Sequence, residues 1–204
     1  ANFQKGDQAT YESVADIKVS VPMAGNSESI KTNGQTKITV KDASADGYVI
    51  EMTTTNIKME GNQEVAQQTG NMLNQYLSNV PLLLKTDANG KVKDILNYTE
   101  VQTQVSKLAM ASIDSLYKAK PEMEKTLPKY KMAMSINSLL TKEAFIESAE
   151  NNSFFIFFGK TLKTGDKVDM NKQGIKTTVT YEVNKEPNAL NIIGKIKGNM
   201  TEDD

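Results

Sequence analysis

The side chains available for chemistry in this chain are serines, lysines and carboxylates, because it contains no Cys, His, Trp or Arg. Without His or Cys there is no imidazole to exchange protons near neutral pH and no thiolate nucleophile. The usual ligands for zinc, haem or an iron–sulfur cluster are missing too. Without Arg there is no planar fork for phosphate, carboxylate or guanine. What remains is hydroxyl and amine chemistry. Ser115-Leu116-Tyr117-Lys118, Ser135-Ile136-Asn137 and Lys163-Thr164-Gly165 follow the order Ser-x-x-Lys, Ser-x-Asn, Lys-Thr-Gly. In acylating serine enzymes that order supplies a nucleophile and the groups that manage its proton. Here all three lie within about fifty residues, whereas such sites gather them from widely separated elements of a larger fold. Ser115 also falls beside the apolar stripe of a helix. The expectation is coincidence and a protein that is not an enzyme.

Other polar signals have plainer readings. Asp87-Ala88-Asn89-Gly90 starts like a calcium loop but lacks the second Asp/Asn ligand before the glycine and the distal bidentate Glu. Apolar runs flank it, so it reads as a hairpin turn in which Asn89 and Gly90 tolerate positive φ. Asn97-Tyr98-Thr99, Asn151-Asn152-Ser153 and Asn199-Met200-Thr201 match a glycosylation sequon, a short pattern that matters only in a eukaryotic secretory pathway. Lysines 118, 120, 125, 129 and 131 form a basic cluster diluted by Glu122 and Glu124. No aromatic series interleaves with them as single-strand binding requires, so a solvated helical surface is expected and nucleic acid is not. No metal or cofactor is indicated.

The apolar signal is concentrated in Phe154-Phe155-Ile156-Phe157-Phe158, which holds four of the six phenylalanines. That density cannot face water at both faces of a strand, so the run is expected to be buried. With the ten methionines it could line an adaptable apolar pocket. Phe154, Phe155, Phe157 and Phe158 are therefore the candidate apolar-ligand residues, although core packing explains them as well.

The elements that must position these residues follow from periodicity. Residues 10–21 keep their apolar side chains on odd numbers in a long half-buried strand. After a loop at 22–27, Ile30, Ile38 and Val40 fall on even numbers, with Asn33-Gly34 read as a bulge. Asp46-Gly47 turns into a third strand, where Tyr48, Ile50, Met52 and Thr54 alternate until Ile57 and Met59 reverse the parity. That reversal implies a second bulge and a strongly bent sheet. Residues 64–80 predict a helix with Val65, Met72, Leu73, Tyr76, Leu77 and Val80 on one face. Residues 82–96 predict a hairpin, and Thr99 with Gln102 a capping box. The helix that follows should bury Val101, Val105, Leu108, Ser112 and Leu116, widened by Ala109 and Ile113. Pro121 opens a short charged segment ended by Pro128. Thr141 should cap a further helix stapled by Leu140 and Phe145 and ending near Asn151-Asn152. Two late strands at 176–184 and 190–197 flank a turn at Glu186-Pro187-Asn188.

At 204 residues the chain is read as one domain, 1–204, with 38% hydrophobic and 24% charged residues. A net charge of −1 gives no global field toward nucleic acid or an anionic membrane. No run of about eighteen apolar residues marks a membrane helix. The start at Ala1 reads as what export processing or trimming leaves, and the end at Asp204 as a tail or a cut.

The motifs Gly6-Asp7-Gln8-Ala9-Thr10-Tyr11, the strand after Asp46-Gly47, Leu84-Lys85-Thr86-Asp87-Ala88-Asn89-Gly90-Lys91-Val92 and Gly159-Lys160-Thr161-Leu162-Lys163-Thr164-Gly165-Asp166 occur in an order that spans nearly the whole chain. In this order the chain resembles a family of exported, often lipid-anchored proteins of unknown function, found mainly in Bacteroidetes. It departs from the family at Lys167-Val168-Asp169, where an aromatic residue usually follows the Gly-Asp pair. The resemblance implies an export signal with a lipidated cysteine upstream of Ala1, a periplasmic or outer-membrane-associated location, and no catalytic residue.

The expected architecture is α+β: a strongly bent antiparallel sheet of about six to eight strands with two or three helices packed on its concave face. By analogy it is similar to the half-barrel of lipoprotein carriers. The expected role is a non-enzymatic binding or interaction module of the cell envelope, touching the membrane only through its lipid anchor. Its partner would be an envelope protein or an apolar small molecule. The alternatives are a carrier of a lipid-like ligand and a hydrolase using Ser and Lys or paired carboxylates.

Overall fold

The computed structural model describes residues 2–20, 27–60, 76–172, 175–186 and 189–200. Within them are eight strands, β1 (Gln8–Ser20), β2 (Ser27–Ser44), β3 (Gly47–Glu60), β4 (Leu82–Asp87), β5 (Val92–Ile95), β6 (Lys167–Lys172), β7 (Ile175–Glu186) and β8 (Ala189–Met200). Between β5 and β6 come the helices α1 (Tyr98–Ala119), α2 (Met123–Thr126), α3 (Lys129–Leu139), α4 (Lys142–Glu150) and α5 (Ser153–Ile156). The strands pair antiparallel in chain order, β1 to β5 in one sheet and β6 to β8 in another, and β8 runs beside β1. The fold is thus α+β with eight antiparallel strands, shared between two sheets and not closed into a barrel.

Hydrophobic alternation sets the buried face of the five-stranded sheet. Ile38 pairs with Met52, Val40 with Ile50, Ile50 with Leu84, and Leu84 with Ile95. All six are buried, whereas Lys41 and Glu51 meet in an ion pair on the other face. Register breaks twice between β2 and β3. Asn33 pairs with Lys58 and Gln35 with Thr55, so Gly34 alone faces Asn56 and Ile57. The extra residue of that bulge is on β3, where Asn56 takes φ +54°. Val40 then pairs with Ile50 but Asp42 with Val49, which leaves Lys41 as the extra residue of a second bulge. At the β2–β3 turn Gly47 has φ +144°, and a Cβ there would lie 2.0 Å from the carbonyl oxygen of Thr86 on β4. Only glycine lets the third strand pass so close.

The β4–β5 hairpin turns as its sequence requires, though only Gly90 takes positive φ, at +84°. Asp87 Oδ1 accepts the N–H groups of Asn89 and Lys91, each at 3.0 Å, and Oδ2 pairs with Lys93 at 3.1 Å. The carboxylate is fully committed to the turn. These bonds, led by that from Lys91, hold the Asp87 carboxyl below the usual carboxylate range. The expected capping box at Thr99 and Gln102 is not formed. Helix α1 starts two residues earlier, with Asn97 as its N-cap, and Thr99 lies within it, its carbonyl accepting from Thr103. The N-cap Asn97 instead spends its amide on β4, donating to Pro81 O and accepting from Leu83 N, each at 2.9 Å.

Of the predicted helix at 64–80, residues 64–75 lie outside the described residues, as do residues 22–26 of the predicted loop and Pro187-Asn188 of the predicted turn. Leu77 and Val80 are buried, and Ser78 bridges to Thr54. Residues 154–158, whose element the sequence leaves open, begin in a helical turn. Asn152 Oδ1 accepts the N–H of Phe154, opening the single turn α5. Helical spacing puts Phe154, Phe155 and Phe158 on one side, as positions i, i+1 and i+4. All three are buried.

Candidate functional site

Two apolar regions of the structure are candidates to hold a ligand or a partner, the first expected from the sequence and the second not, and the fold treats them oppositely. The first is the aromatic cluster under the sheet. Phe154 meets Phe155 at 5.0 Å and Phe158 at 5.6 Å between ring centroids, and Phe158 meets Tyr48 at 5.6 Å. Phe3, from the segment before β1, closes over the group with centroids 5.3 to 5.7 Å from Phe158, Tyr48 and Phe154. A Cβ on Gly90 would lie 2.2 Å from the Phe158 ring, so the β4–β5 turn is pressed flat against it. Phe157 points elsewhere and stands edge-on to Tyr181 of β7 at 4.5 Å. Burial raises the Tyr181 hydroxyl pKa above its ordinary value. Of the four candidate phenylalanines, three thus pack on one another and the fourth joins the helices to the second sheet.

The second region is the helical hairpin formed by α1, α2 and α3. The buried residues of α1 are Val101, Val105, Ala109, Ile113 and Tyr117, a strict step of four. The expected stripe is corrected here: Leu108 is 46% exposed and Ser112 is exposed, because the stripe runs through Ala109 and Ile113 instead. Val101 and Val105 belong to the sheet-side core, while α3 packs on α1. Two polar links fasten this hairpin. Tyr117 donates its hydroxyl to Leu127 O, and Lys129 pairs with Asp114.

Helix α3, absent from the sequence reading, has no buried residue. Ile136 packs against the core and Met132 and Ala133 are half-buried. The opposite side carries Tyr130 at 61% and Met134 at 67% exposure, one turn apart, while Leu127 (38%) precedes the helix and Leu139 (58%) ends it half a turn round from Tyr130. Eleven residues make a marginal helix in water by themselves. The signal for it was Pro128, which stands at the N-cap, followed by Met132 and Ile136 at a spacing of four.

The reactive-group candidates do not assemble. Ser115, Lys118, Ser135, Asn137, Lys163 and Thr164 are all exposed. Ser135 accepts from Ser138 through its carbonyl, and the Thr164 hydroxyl is tied to the backbone of Val183. Among the described residues no group of three or more carboxylates could hold a metal ion. One polar cluster is well built. Lys142 bonds Asp94 Oδ1 at 2.8 Å and lies 5.4 Å from the centre of the Tyr98 ring, and Tyr98 donates to Leu140 O. The Lys142 bond, then the Ile95 N–H, holds the Asp94 carboxyl below its ordinary value, and the same bond raises the Lys142 ammonium. It fastens α4 to β5, a structural task. An open depression beside the first bulge is lined by Glu12, Asn33, Gly34, Gln35, Asn56 and Lys58, and Asn56 donates to Gln35 across it.

These features define an α+β protein whose helices cover one face of an open antiparallel sheet. No family model, curated protein or solved structure matches the chain. No helix among the described residues is long and apolar enough to cross a membrane.

Proposed function

We propose that this chain is a non-enzymatic interaction module of the cell envelope, exported and lipid-anchored, which engages its partner through the outward face of α3 and the segment before it. The observation that carries this reading is α3 itself, a helix with no buried residue that leaves Tyr130, Met134 and Leu139 in water while the sheet side is sealed. Solitary exposed apolar side chains need no explanation, but several on one short element mark a contact surface. The export part rests on the resemblance of the turn motifs alone.

Native mass spectrometry of protein purified from its own host tests the interaction. Wild-type chain should retain a bound species that the Tyr130→Lys, Met134→Lys double variant loses. A bare wild-type chain, or a bound species indifferent to the substitutions, would overturn the reading. Fractionation of the host that leaves the protein in the cytosol would overturn the envelope location.

A further inference from the structure

The exposed side of the hairpin carries an excess of positive charge. From Lys125 to Lys142 the chain holds four lysines, Lys125, Lys129, Lys131 and Lys142, and no acidic residue, in a protein whose net charge is −1. Lys129 and Lys142 are held by Asp114 and Asp94. Lys125 and Lys131, together with Lys118 and Lys120 at the end of α1, are exposed and have no ion-pair partner among the described residues. The nearby carboxylates dilute this charge without cancelling it, since Glu122 and Glu124 set two negative charges against these four lysines. Glu124 accepts the backbone N–H of Lys129, Asp114 is paired, and Glu122 is exposed at the start of α2. Leu127, Tyr130 and Met134, all exposed, lie among the lysines from Lys125 to Lys142 along the chain.

Free cations bracketing exposed apolar and aromatic side chains on a short helix fit one kind of surface well. Lipid accepts the apolar groups at the level of its headgroups, and anionic headgroups neutralise the lysines. We infer that the outward face of α3, with Leu127 and the lysines around it, docks on an anionic phospholipid surface. This rests on the proposal that the face is a contact surface, and it names the partner. It also adds a direct membrane contact to the single lipid anchor expected from the sequence.

Co-sedimentation of the full chain with vesicles tests it. Binding should be strong to phosphatidylcholine mixed with phosphatidylglycerol, weak to phosphatidylcholine alone, and suppressed by high salt. Lys125→Glu with Lys131→Glu should lower partitioning about tenfold or more. Tyr130→Ser with Met134→Ser should lower it severalfold at unchanged thermal stability, since both side chains are exposed. No binding to anionic vesicles, equal binding to neutral ones, or indifference to both variant pairs would overturn the lipid assignment. So would a concentration-dependent dimer in sedimentation velocity that the same substitutions abolish, because a second copy would then occupy the face. Absent vesicle binding combined with a protein partner retained in native mass spectrometry would sink the lipid and leave the interaction module standing.

Discussion

The aromatic cluster and the α3 face are both rich in large apolar side chains, yet one is closed on every side and the other is open. In the cluster each ring has ring partners, a glycine turn presses on Phe158, and the segment carrying Phe3 seals the rim. On α3 the apolar side chains are split between a half-buried row led by Ile136 and an outward pair, Tyr130 and Met134, with lysines beside them. Apolar content alone therefore does not mark a binding surface. What distinguishes one is apolar side chains left unpaired by the fold and accompanied by unpaired charge.

That contrast can be broken by substitution. Phe145, fully buried between the helices and the sheet, should cost about 3 to 5 kcal/mol when changed to Ala. Met134→Ala on the open face should stay within about 0.5 kcal/mol. Urea denaturation of the two variants measures both, and similar losses would erase the distinction. Next in size is Gly90→Ala, which forces a side chain into positive φ and onto the Phe158 ring. We expect a loss of about 2 to 4 kcal/mol in the same assay. Thr141 accepts the N–H of Ala144 at 3.1 Å as N-cap of α4, so Thr141→Ala should cost about 1 kcal/mol, and Thr141→Ser should restore most of it.

The smallest effect concerns pH. Asp94 is depressed in the folded chain, so its contribution is present above the unfolded carboxylate pKa of about 3.9 and is lost as pH falls through the lower folded value. Lys142 is raised, so its contribution is present below about 10.4 and is lost as pH rises through the folded value. Both groups are open to solvent, which keeps the effect modest. Asp94→Asn should flatten both limbs of the stability profile, and identical acid limbs in the two proteins would show that the pair carries no pH dependence.

Much of the sheet was legible because its signals are local. Alternation at Tyr48, Ile50 and Met52, the turns at Asp46-Gly47 and Asp87–Gly90, and the Leu140–Phe145 staple around Thr141 each need only a few neighbouring residues. The Asn33-Gly34 interruption and the parity change at Ile57 were read as separate irregularities. They are one bulge seen from its two strands, a relation only pairing reveals. The capping box failed because Asn97 spends its amide on β4, a tertiary choice that sequence spacing cannot register. The phenylalanine run reads only as buried, because a dense apolar run has no period of its own; Asn152 decides its form by opening a helical turn. Helix α3 was hidden by weak amphipathicity, which is the same property that leaves its outer side in water.

The rim at β5 has a consequence for how this protein behaves when crowded. Its two outward-facing backbone donors, at Val92 and Ile95, are taken by the carboxylates of Glu150 and Asp94 at 3.0 and 2.8 Å. A foreign strand arriving there would find both donors already bonded to seated acceptors. Stacking of copies into fibrils through this border is thereby disfavoured, because the strand edge is closed by one of its own side chains and by one from α4.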